Sequence, residues 1–328
     1  MSSVLTGDIG GTKTRLAIAA VNGTQVRIEH EATYPSSRFA TFADLLAVFL
    51  GDRQPPAKAA FGVAGPVHGR AVHTTNLPWH IEADALQRRF GFTACTLLND
   101  LEAAACGLPA LQPQDLLVLQ QGEAGAAGNC AIIAAGTGLG EAGLYWDGQM
   151  HHPYATEGGH ASFSPQSELE FALMLHLQSR YGHVSWERVV SGMGLPDLHD
   201  FLRAYRKAAL PSWLAEEMQS GDAAAAISGA ALAGKDAICV ETLECFVRLY
   251  GAEAGNLALK TMSRGGLYVG GGIAPKILPL LQQSIFMQSF LDKGRMRPLL
   301  EAMPVRVILQ DRVALYGPAL RAARHESA

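Results

Sequence analysis

The side chains able to do chemistry in this 328-residue chain fall into two sets, one suited to phosphate and one suited to hydroxyl groups. The phosphate set is built on glycine. Gly7, Asp8, Ile9, Gly10, Gly11 and Thr12 lie between two apolar runs, Gly136, Thr137 and Gly138 repeat that grammar half a chain later, and Gly270, Gly271 and Gly272 follow a third run. Glycine lets backbone N–H groups approach an anion closely, and Thr adds a hydroxyl donor. Asp8 has the chemistry to sit near a metal-bound phosphate. Plainer readings stand beside these. Gly-Gly turns join many hairpins, a strand-to-helix turn accounts for the third segment, and the first segment is neither a Walker A loop nor a GxGxxG fingerprint. Repetition favours phosphate, because a structural hairpin does not require Gly136, Gly138 and Gly140 to alternate around a Thr.

The hydroxyl set is polar. Asn99, Asp100, Glu157, His160 and Glu187 offer carboxylates, an amide and an imidazole. Such groups discriminate a sugar hydroxyl, both donor and acceptor, because a missing partner leaves a buried polar group unpaired. Asp100 could also orient an attacking hydroxyl and accept its proton. Here too there are alternatives: Asp100 as N-cap of a helix from Leu101, a role compatible with catalysis; His160 in an internal hydrogen bond; Glu187 in a solvated ion pair with Arg188.

The elements that must position these residues follow from apolar periodicity. Strands are predicted over 4–9, 14–20, 26–30 and Lys58–Val63, with helices over 41–50 and 81–90, and a buried strand over 95–98 that ends at Asn99 and Asp100. A second series has strands over 116–119, Cys130–Ala135 and 142–146, then a helix Glu168–Tyr181. Residues 223–263 read as closely packed Ala-rich helices interrupted at Gly229, Gly234, Gly251 and Gly255, and 267–269 as a strand. Residues 122–128 read as a flexible loop.

Composition narrows the classes. Length suits two lobes better than one. A net charge of -4, from 26 basic against 30 acidic residues spread along the chain, provides no basic stripe for nucleic acid. No apolar segment reaches the roughly 20 residues of a membrane span, and the first residues do not read as a secretory signal. Five cysteines without CxxC spacing argue against disulfides and structural zinc, and His151, His152 and His160 have no metal-ligand partner at the usual spacing. The expectation is a cytoplasmic protein with reduced thiols.

Taken together, Asp8 to Thr12, Gly136 to Gly138 and Gly270 to Gly272 resemble the phosphate-1, phosphate-2 and adenosine segments of the hexokinase, actin and heat-shock ATPase superfamily. Leu98-Asn99-Asp100, Glu157-Gly158-Gly159-His160 and the stretch from Trp186 to Gly192 resemble the glucose-binding segments of bacterial glucokinases outside the ROK family. The resemblance implies an α/β, two-lobed actin-like (ribonuclease H-like) ATPase fold with mixed sheets flanked by helices. It implies a small domain over 1–110, completed by a C-terminal helix 301–328, and a large domain over 111–300. It implies ATP and Mg2+ on Gly7, Asp8, Ile9, Gly10, Gly11, Thr12, Gly136, Thr137, Gly270, Gly271 and Gly272, with Asp8 holding the metal through water. Glucose is expected on Asn99, Asp100, Glu157, His160, Glu187 and Gly138, with Asp100 as base at the 6-hydroxyl and lobe closure excluding water. A homodimer is expected by analogy.

Two departures accompany the resemblance. The Cys-rich zinc motif of ROK relatives is replaced by Ala161-Ser162-Phe163-Ser164-Pro165, and Leu101 stands where many relatives have an aromatic residue. The rival readings are a kinase for another hexose or an N-acetylhexosamine, a sugar-responsive regulator, and an ATPase of structural or chaperone type.

Overall fold

The computed structural model describes residues 1–74 and 77–324. It forms two compact units: Met1–Asp115 with His152–Ala155 and Gln310–Ala328, and Leu116–His151 with Thr156–Leu309.

In the first unit, strands β1 (Ser2–Ile9), β2 (Lys13–Asn22), β3 (Gln25–Pro35), β4 (Lys58–Val63) and β8 (Ala94–Asn99) form a sheet ordered β3-β2-β1-β4-β8. β1, β2 and β3 pair antiparallel, and β4 and β8 run parallel to β1. Continuous apolar runs such as Lys58–Val63 become central strands because both faces are covered. One face packs on Phe42, Phe49, Trp79 and Leu86; each fully buried Phe contributes roughly 1.5–3 kcal/mol. The other packs on the helix Val313–Arg324 through Val4, Ala19, Ala60, Ala319 and Leu320, and Thr6 Oγ1 donates to Leu315 O at 2.7 Å. A small sheet, β5 (Val67–His68), β6 (Ala71–His73) and β7 (His80–Glu82), completes the unit.

The second unit repeats the hairpin. β9 (Leu116–Gln120), β10 (Cys130–Ala135), β11 (Leu139–Trp146), β13 (Gly266–Gly270) and β14 (Val305–Ile308) are neighbours in the order β11-β10-β13-β14-β9, and β12 (His151–Ala155) follows β11 in sequence. The 25-residue helix Ala237–Thr261 buries Phe246, Tyr250 and Ala254 in this core.

Four expectations are corrected. The C-terminal stretch 301–328 is not one helix: strand β14 intervenes, the helix is Val313–Arg324, and 325–328 lie outside the described residues. The helix predicted over 81–90 is Ala83–Phe90, because Ile81 is taken into β7. Gly229, Gly251 and Gly255 do not interrupt helices; the last two lie against the carbonyls of Phe286 and Phe290, so helix Ser284–Leu291 packs closely there. After Gly270 the chain makes turns through Ile277 before a helix begins at Leu278, so no helix starts at the third glycine segment.

Candidate functional site

Register places the first unit's site residues at one edge of its sheet. Ile9 pairs with Val63 and Val63 with Asn99, so the turn after β1 and the Asn99-Asp100 pair leave the sheet at the same level. This is the carboxyl end of its parallel strands, where α/β sheets bind ligands. Gly10 N–H donates to Lys13 O at 3.0 Å to close the glycine turn. Buried Ser36 braces it, donating from Oγ to Gly10 O at 2.8 Å and from N–H to Thr12 O at 3.0 Å. Gly7 and Ile9 are buried, Asp8, Gly10 and Gly11 are half-buried, and Thr12 is exposed. Burial pushes the Asp8 carboxyl up to about 6, opposed by the Arg15 guanidinium.

The capping alternative for Asp100 resolves onto its neighbour. Asn99 is the N-cap of the helix Asp100–Gly107, its side-chain oxygen accepting from Leu101 N–H at 3.0 Å and Glu102 N–H at 3.4 Å. Asp100 occupies the first helical position, and its Oδ1 also accepts from Leu101 N–H, at 2.9 Å. Asn99 Nδ2 donates to Gly65 O at 3.3 Å, so the amide is fixed at both ends.

In the second unit the remaining residues converge. Gly136 N–H donates to Gly138 O, and Gly192 N–H to Gly136 O, both at 2.8 Å. Because Ala134 pairs with Gly270, the turn 136–138 adjoins the turn 270–272, and Ile273 N–H donates to Ala135 O at 3.2 Å. Gly271 has φ +83 and lies against the Ala135 backbone, a position closed to any Cβ. Tyr250 ties both turns together: its hydroxyl accepts from Ala135 N–H at 3.2 Å and lies 3.2 Å from the carbonyls of Ile133 and Gly270.

Glu187 links these turns to the polar segment. Its Oε2 accepts from Leu139 N–H at 3.0 Å and lies where a Cβ on Gly138 would be. Its Oε1 is 3.9 Å from His160 Nδ1, and His160 Nε2 is 3.8 Å from Glu157 Oε2. The ion pair with Arg188 does not form the site, because the Arg188 guanidinium stacks 4.0 Å from the Tyr181 ring centre. The segment is held in place by Trp186 N–H to Ala161 O at 3.0 Å and by the Phe163 and Trp186 rings, 5.0 Å apart. His160 and Glu157 present exposed side chains, whereas Gly159 is buried.

Sequence reasoning missed Ser36, Tyr250 and Glu141. Only Glu141 left a signal, a lone carboxylate inside an apolar strand. Among the described residues His199, Asp236 and Cys239 bring donor atoms within 4.8 Å of one another. Asp236 Oδ1 already caps helix Ala237–Thr261 through Cys239 N–H at 2.8 Å, burial pushes the Cys239 thiol up to about 12, and Arg203 adds positive charge beside His199. These commitments oppose a cation, and we assign none there.

The glucokinase family model matches residues 5–325. The glucokinase of Nostoc punctiforme is 43% identical over 340 aligned positions, covering 99% of this chain and 100% of that protein. That of Synechocystis sp. is 42% identical, with 98% of each covered. The crystal structure of a glucokinase from an Antarctic psychrotroph superposes with TM-score 0.86 at 32% identity, covering 98% of this chain and 99% of that one. At this coverage the chain has the α/β actin-like ATPase fold, with mixed sheets flanked by helices.

Proposed function

The chain belongs to the glucokinase family, and from that membership we propose that it transfers the γ-phosphoryl group of ATP to the 6-hydroxyl of glucose, giving glucose 6-phosphate and ADP. The observation that supports this most directly is the Glu187 carboxylate, which hydrogen-bonds the backbone that follows the second glycine turn and lies beside His160. The second glycine turn would then serve phosphate, and Glu187 and His160 the sugar hydroxyls, side by side in the second unit.

In this reading Asn99, Glu157, His160 and Glu187 hold the sugar hydroxyls, with Gly138 at the substrate and, lacking a Cβ, leaving the Glu187 carboxylate its place. Asp100 orients the 6-hydroxyl and takes its proton as the new P–O bond forms and the bond to the bridging oxygen of ADP breaks. The N–H groups around Gly7, Ile9, Gly10, Gly11, Gly136, Gly270, Gly271 and Gly272, with the hydroxyls of Thr12 and Thr137, position the nucleotide. Mg2+ fits Asp8, a half-buried carboxylate at the glycine turn that burial leaves short of solvent, and when bound it would neutralise phosphate charge there.

We extend the proposal to a cytoplasmic homodimer without structural zinc, acting on neither nucleic acid nor membrane, whose two units serve as the small and large domains. Among the described residues no single helix is long and apolar enough to cross a membrane.

The test is ADP release from ATP and Mg2+ with glucose, mannose, fructose, N-acetylglucosamine or no sugar. Turnover should require glucose and fall about 10²–10⁴-fold in Asp100→Ala. A preference for another sugar would move the assignment to that hexose, and sugar-independent turnover to an ATPase.

A further inference from the structure

Glu141 is the one carboxylate of strand β11, and it is 2% exposed. The Glu157 to His160 turn is seated on it. A Cβ on Gly158 would collide with Glu141 Oε2 and lie 2.7 Å from its Cδ. Thr156 Oγ1 donates to Glu141 O at 2.9 Å, and Gly158 N–H donates to Thr156 Oγ1 at 3.3 Å. Strand and turn are therefore locked through this residue.

Glu141 Oε1 meets no hydrogen-bond partner among the described residues, and the neighbouring charge that most opposes its ionisation is the carboxyl of Glu253, on helix Ala237–Thr261 and fully buried. Two buried carboxyl groups that repel each other are best accommodated with a proton held by one of them. Glu253 is further satisfied by Asn256 Nδ2 at 2.8 Å and Lys260 Nζ at 3.2 Å. The charged and titratable groups around the pair are Lys260 and Tyr250 on that helix and Lys293 after helix Ser284–Leu291; Glu157 and His160 on the turn have exposed side chains, and β10 presents Ile133. With one proton retained, the pair carries one negative charge against the Lys260 ammonium. Losing it would leave a second, uncompensated charge under the turn, which a buried site tolerates poorly.

We propose that Glu141, sharing a proton with Glu253, is a positioning residue that seats the Glu157 to His160 turn and so sets the affinity for sugar. The inference rests on the glucokinase reading. Burial, reinforced by Glu253, pushes Glu141 up to about 8, so the seat is intact at neutral pH and is lost as pH rises through that value.

The experiment measures KM for glucose and kcat from about pH 6 to about pH 9.5, with glucose binding by calorimetry at the same pH values, on wild type, Glu141→Gln and Glu141→Ala. For wild type, KM should rise by about tenfold above pH 8 while kcat changes little. Glu141→Gln, whose amide mimics the protonated carboxyl, should keep the neutral-pH KM and lose the rise; Glu141→Ala should have a raised KM throughout. If Glu141→Ala does not fold, Glu141→Gln carries the test. A wild-type KM that stays flat, or a Glu141→Gln KM that climbs in parallel with wild type, overturns the inference alone. A wild type that neither turns over nor binds glucose overturns the glucokinase reading and this inference with it.

Discussion

Asp8 and Gly138 show how much a single residue in this chain is asked to do. In the proposed role Asp8 would serve a phosphate-bound cation only when ionised, and burial holds its carboxyl up to about 6. Turnover at sub-saturating ATP should therefore drop as pH falls below about 6, and Asp8→Asn should be slow at every pH; a pH series of kcat/KM for ATP checks both. Gly138 leaves the space that Glu187 fills, so Gly138→Ala must displace that carboxylate. KM for glucose is expected to rise by about tenfold or more in steady-state assays, with folding retained by circular dichroism. At this scale candidates were legible in the sequence where a residue's own chemistry suggests a role, as with Asp8, Asp100 and Glu157, whose roles stand as proposed above. The division of labour between Asn99 and Asp100 was not, because both residues suit a helix N-terminus and only backbone geometry decides which one caps.

Elements carry the turns, and the two hairpins that bear glycine-rich turns, β1 to β2 and β10 to β11, were readable because glycines follow buried apolar runs in both. Their bracing was not readable. Ser36 reaches the first turn from beyond β3, and Tyr250 reaches the other two from the middle of an Ala-rich helix, so neither has a local signature. Tyr250→Phe removes the hydroxyl that joins Ala135 N–H to the Ile133 and Gly270 carbonyls. It should cost about 1–3 kcal/mol in denaturant unfolding and raise KM for ATP more than KM for glucose. The C-terminal helix was over-extended for a related reason: the short strand β14 has only four residues and pairs with partners distant in sequence, β13 and β9.

For the whole molecule, two carboxyl groups, one half-buried and one buried, tie stability to pH. Asp8 and Glu141 are raised from ordinary values of 3.8 and 4.5 to about 6 and about 8. Stability from their neutral forms is complete below the ordinary values and is lost as pH rises through the raised ones. The melting temperature should fall between about pH 4 and about pH 8, and Glu141→Gln should flatten the upper part of that fall, as read by calorimetry. All five cysteines are free, and burial pushes Cys95, Cys106, Cys130, Cys239 and Cys245 up to about 11 or 12. At the buried Cys95, Cys130, Cys239 and Cys245 native protein should react with a thiol reagent only as fast as it opens.

The bond from Thr6 to Leu315 spans 309 residues, and the helix bearing Leu315 packs on one face of the sheet that contains β1, through Val4, Ala19 and Ala60. A ribosome adding about 5–20 residues per second makes the strand on the order of half a minute before its cover. During translation the first unit thus emerges early but cannot close until the last turn of helix clears the exit tunnel, while the second unit already has all of its segments. Its apolar face is the stretch of nascent chain with most need of a chaperone.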